Sequence, residues 1–130
     1  MSAISREDLR TILLFGIHIS KVDDNFDVWE KQILKRFADA INLSEEERGD
    51  IADQEVSLRH GLDSLSSAEA RNLLIKTLCA VSYADGNTHP SELDFIEKVI
   101  TRAGATVMVL PREEWGLYEK EIFDDLQQYT

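Results

Sequence analysis

Two short acidic stretches carry the residue types and spacing that could do chemistry. The first reads Asp23-x-Asn25-x-Asp27-x-x-Glu30, and the second Asp85-x-Asn87-x-His89-x-x-Glu92. Oxygen donors at alternate positions of a turn can converge on one hard cation, as they do at the start of an EF-hand loop. Ca²⁺ takes about six or more oxygens, whereas Mg²⁺ takes fewer from the protein and keeps several waters. The candidate ligands for such a divalent cation are Asp23, Asn25, Asp27 and Glu30 in the first stretch, and Asp85, Asn87 and Glu92 in the second. The spacing departs from an EF-hand in two respects. The glutamate falls at the eighth position instead of the twelfth, and no glycine occupies the sixth.

The same residues have a reading that needs no metal. Asp27 and Glu30 are spaced as a helix N-cap and its third-residue partner, and His89-Pro90-Ser91-Glu92 is a poorer version of that start. Asp85-Gly86-Asn87 is ordinary turn chemistry, with Gly86 free to supply a positive φ. Both readings stand at this point.

The helices around these stretches recur with them. Asp23 falls on Asp85, Asn25 on Asn87 and Glu30 on Glu92 at one constant shift of 62 residues, the difference between 85 and 23. At that shift Ile33, Leu34, Phe37 and Ile41 fall on Phe95, Ile96, Val99 and Ala103, while Ile12, Ile17 and Ile19 fall on Leu74, Cys79 and Val81. Apolar positions and polar turn thus recur together. The expectation is a duplicated helical unit, with repeats at about 5–62 and 67–130. Each would hold a central helix, an acidic turn, a packing helix and a shorter helical element.

In chain order, Ser5 with Asp8 opens a first helix that is apolar nearly all round, from Leu9 through Ile19, as befits a central element. A second, amphipathic helix runs from about Asp27 to Ile41 and is broken at Asn42-Leu43. Ser44 and Glu47 form a capping box for a short acidic helix ending near Asp53, and Glu55 to Leu62 reads as a further short helix ending at Gly61. The Ser66-Ser67-Ala68-Glu69 stretch starts the second central helix, with Leu73, Leu74, Leu78 and Val81 in its stripe. Pro90 suits the first position of the next helix, which Gly104 ends. Thr106 to Leu110 has strand propensity but nothing to pair with, so it reads as an extended linker. Pro111 opens a last helix carrying Trp115, Tyr118, Ile122 and Leu126 on one face, Trp115 and Tyr118 being expected in the core.

The phrase Val81-Ser82-Tyr83-Ala84-Asp85-Gly86-Asn87, with Glu92 following, resembles the signature of the tellurite-resistance TerB-like family. That signature pairs an Ala-Asp-Gly turn with a glutamate seven residues after the aspartate. The resemblance spans roughly Ile4 to Ala103. It implies an all-α fold, a multihelical bundle with two central helices and two repeated helical motifs. It also implies a role in the response to tellurite and chemical stress, and metal binding by Asp85 and Glu92, with Asp23 and Glu30 in the first half. This chain departs from the pattern at Asp24, which replaces the glycine, at Lys21-Val22, which replaces Tyr-Ala, and at His89, where a serine-like cap is common.

Composition narrows the remaining classes. The 130 residues suit one domain, long enough for a single core, and 43% of them are hydrophobic. A net charge of −11 argues against nucleic acid and against an anionic membrane surface, and suits basic or cationic partners. One cysteine, Cys79, excludes an internal disulfide framework and reads as core packing. No apolar run is long enough to span a bilayer, and Met1 to Glu7 show no signal-peptide pattern, so a cytoplasmic location is expected. His18 reads as an interhelical histidine and His60 as a helix-end residue. No nucleophile elbow or phosphate loop is present, so the expectation is a non-enzymatic stress-response protein with a divalent-cation site. The alternative is a metal-free module that docks a protein partner.

Overall fold

The computed structural model describes residues 4–21, 28–53, 61–63, 65, 67–84, 90–103 and 114–127. Within them the chain forms helices α1 (Arg6–Lys21), α2 (Val28–Ala40), α3 (Glu45–Asp53), α4 (Ala68–Ser82), α5 (Pro90–Ala103) and α6 (Leu117–Gln127), with another helical turn at 61–63. No strand occurs among the described residues, and the fold is an all-α bundle. The stretch Thr106 to Leu110, Gly104 and Pro111 lie outside the described residues.

Short-range polar chemistry sets the helix starts. Ser5 Oγ accepts from Asp8 N at 3.1 Å and Asp8 Oδ2 accepts from Ser5 N at 3.0 Å, closing a reciprocal box at the head of α1. Ser44 and Glu47 do the same for α3, at 3.1 and 3.3 Å. Ser67 is the N-cap of α4, its Oγ accepting from Ala70 N at 3.1 Å. Each such cap is worth about 1 kcal/mol. Helix α5 begins at Pro90, where the missing N–H costs nothing.

The end of α2 is equally local. Asn42 takes a left-handed φ of 58°. Leu43 N donates to Ala38 O and Asn42 N to Asp39 O, both at 3.1 Å, which is a Schellman closure. Buried Leu43 and Ala38 supply its apolar contact. Arg6 adds a long-range clamp, donating from Nη1 to Ile41 O at 2.8 Å, and Arg48 Nε donates to Leu43 O at 3.1 Å. Positive side chains here meet the negative end of the α2 dipole.

Helices α1 and α4 form the most extensive interface of the bundle, so they are its central pair. Helix α4 buries ten side chains, from Ala70 to Ser82, including Thr77, whose hydroxyl donates to Leu73 O at 2.8 Å. Helix α1 buries Leu9, Ile12, Leu13, Phe15 and Ile19. Helix α2 adds Ile33, Leu34 and Phe37, and α5 adds Ile96 and Val99. Burying such a side chain contributes about 1.5–3 kcal/mol. Gly16 lies where α1 crosses α2. A Cβ there would stand 2.8 Å from Leu34 Cδ2 and 3.7 Å from Thr77 Cγ2.

Two boundaries differ from the sequence reading. Helix α6 starts at Leu117, and buried Trp115 sits in the turn before it, its ring 6.5 Å edge-on from that of Tyr83. Gly61 lies inside a helical turn instead of ending one, and the ring of Phe15 comes so close that a Cβ there would stand 2.3 Å from Phe15 Cζ. Residues 55–60 of that expected short helix lie outside the described residues.

The 62-residue shift carries α1 onto residues 68–83 and α2 onto 90–102, within one residue of the limits of α4 and α5. Ile12, Ile19, Leu34 and Phe37 are buried, and so are Leu74, Val81, Ile96 and Val99. The third helices break the register. Helix α3 begins at Glu45 and α6 at Leu117, which are 72 residues apart. Helix α3 packs on α1, whereas α6 packs on both α4 and α2. Tyr118, Ile122 and Leu126 are the buried residues of α6.

Candidate functional site

Glu30 is the third residue of α2 and Glu92 the third of α5. Glu30 is 2% exposed and Glu92 0%. A carboxylate near a helix N-terminus is favoured by the dipole and by the unbonded N–H groups there. Taking an ionised carboxylate out of water is costly unless hydrogen bonds, an opposite charge or a metal compensate it.

Three other acids occupy the same third position: Asp8 of α1, Glu47 of α3 and Glu119 of α6, the last with its side chain 41% exposed. Asp8 of α1 is 4% exposed and is consumed by its capping box with Ser5. Glu47 of α3 makes the same box with Ser44 at the surface, its side chain 32% exposed. The backbone N–H of Ser44 holds the Glu47 carboxyl below its ordinary value, with Arg6 and Arg10 nearby adding to the effect. A capping acid is thus found in this fold both at the surface and under it.

The helices that precede the acidic stretches bring further negative character. Helices α1 and α4 run their C-terminal ends toward residues 22–27 and 85–89, and a helix C-terminus carries roughly half a negative charge. At the end of α4, Tyr83 N donates to Cys79 O at 3.1 Å and Ala84 N to Val81 O at 3.3 Å. Ser82 Oγ also donates to Cys79 O, at 3.1 Å.

Of the seven candidate ligands, Glu30 and Glu92 are the two within the described residues. Asp23, Asn25, Asp27, Asp85 and Asn87 lie outside them, as do Gly86 and His89. Among the described residues no three His, Cys, Asp or Glu side chains come together to hold a metal ion. The donor types of the seven, all oxygen, fit a hard cation such as Ca²⁺ or Mg²⁺ better than a soft transition metal.

Other polar groups take structural places. Cys79 is fully buried, and burial pushes its thiol up to about 12. Half-buried His18 packs its ring on Phe95 of α5, with centroids 5.0 Å apart. His60 lies outside the described residues. On α2, Arg36 lies 4.1 Å over the ring of Phe123 in α6 and pairs with Glu119. Lys76 of α4 reaches Glu121 and Asp125 of α6 at 3.5 and 3.4 Å. The burial of Asp8 left no signal in sequence, because Glu47 makes the same box at the same helical position and is partly exposed. The long-range pairs of α6 left no signal in sequence, because their partners are 45 residues apart or more.

Among the described residues no helix is long and apolar enough to cross a membrane. No family model matches the chain, and no curated protein or solved structure is significantly similar to it.

Proposed function

We propose that this chain is a non-enzymatic, cytoplasmic TerB-like protein of tellurite or chemical-stress response. In this reading it binds a divalent cation, Ca²⁺ or Mg²⁺, at the acidic corners between α1 and α2 and between α4 and α5. The observation that carries it is the shared burial of Glu30 and Glu92 at the third position of helices related by one constant shift. The alternating Asp and Asn donors just before each glutamate, and the helix C-termini that lead into them, support a cationic occupant.

Calorimetry with Ca²⁺, Mg²⁺, Mn²⁺ and Zn²⁺ tests this. Binding heat from a hard cation, abolished by Asp85→Asn together with Glu92→Gln, is the expected result. No heat from any of the four at millimolar concentration removes the cation from the reading.

A second reading, a metal-free module for a protein partner, draws on α6. Leu117 there is 60% exposed, the one large exposed apolar side chain among the described residues. That reading expects a defined protein recovered in a pull-down and lost on Leu117→Asp, with no response to metal.

A further inference from the structure

We draw no further inference here: the strongest candidate, the surface groove between α2 and α6 lined by Arg36, Asp39, Ala40, Phe123 and Gln127, carries nothing because nothing in the structure shows what covers it.

Discussion

Glu30 and Glu92 hold one position in two helices: each is the third residue after a helix start, and each is shut away from solvent. The capping and cation readings of this pair diverge in a stability experiment. If the carboxylates only cap, Glu30→Ala and Glu92→Ala each cost about 0.5–2 kcal/mol, with or without metal. If they bind a cation, the wild-type protein gains about 2.7 kcal/mol at a metal concentration one hundred times Kd, and the variants lose that gain. Denaturant melts of each variant, with chelator and with saturating metal, separate the two. Equal losses in both conditions would overturn the cation reading.

Gly16 and Gly49 should respond in opposite ways to the same substitution. Both are helical, and alanine is favoured over glycine in a helix by about 1 kcal/mol. Gly49 has open space around its Cα, so Gly49→Ala should stabilise by roughly that amount. Gly16→Ala must push against Leu34, which is itself buried. Overpacking costs about 1–3 kcal/mol, so a net loss of about 1 kcal/mol is expected. A rise in melting temperature for both variants would mean that α1 and α2 are not in close contact at this crossing.

The Glu47 carboxyl offers a pH test. Its value in the folded protein lies below its ordinary 4.5, chiefly through the hydrogen bond from Ser44 N. A depressed carboxyl contributes stability above its unfolded value, and that contribution disappears as pH falls through the folded one. Acid destabilisation should therefore include Glu47. Replacing Arg6 and Arg10 by Gln should move its titration upward in a carbon-detected NMR experiment, since both guanidiniums favour the charged form. An unmoved titration would rule out their contribution.

Cys79 should be inert in the folded state. Thiol reagents at pH 8 need the thiolate, and this thiol is both buried and raised to about 12. Labelling is expected only at the rate of unfolding, and to become fast in denaturant. The unfolded thiol ionises from its ordinary 9.0, so folding stability should fall as pH rises from 9.0 towards 12. Rapid native-state labelling at pH 8 would show that α4 is not a core helix.

Trp115 and Tyr118 anchor α6 to the bundle, and Trp115→Ala should cost about 3–5 kcal/mol. Arg36→Ala, by contrast, removes exposed contacts with Glu119 and Phe123 and should cost about 1 kcal/mol or less. Urea denaturation of both variants checks the contrast. Comparable losses would mean that surface pairs, not apolar burial, hold the last helix.

Helix existence, type and most of the starts follow from the sequence because they are local. Serine caps, the proline at position 90 and the apolar stripe of α1 act within a few residues of themselves, so their spacing along the chain is their spacing in space. The seven acidic and amide candidates were legible for the same reason, since oxygen donors in one turn are neighbours before any folding. What only the tertiary structure decided depends on groups far apart in the chain. A carboxylate at a third helical position reads the same whether it faces water, as Glu47 partly does, or the interior, as Glu30 and Glu92 do. Which of these occurs is set by the helices packed across it. Likewise, α6 is seated on both α4 and α2, a contact that no periodicity within residues 117–127 could announce.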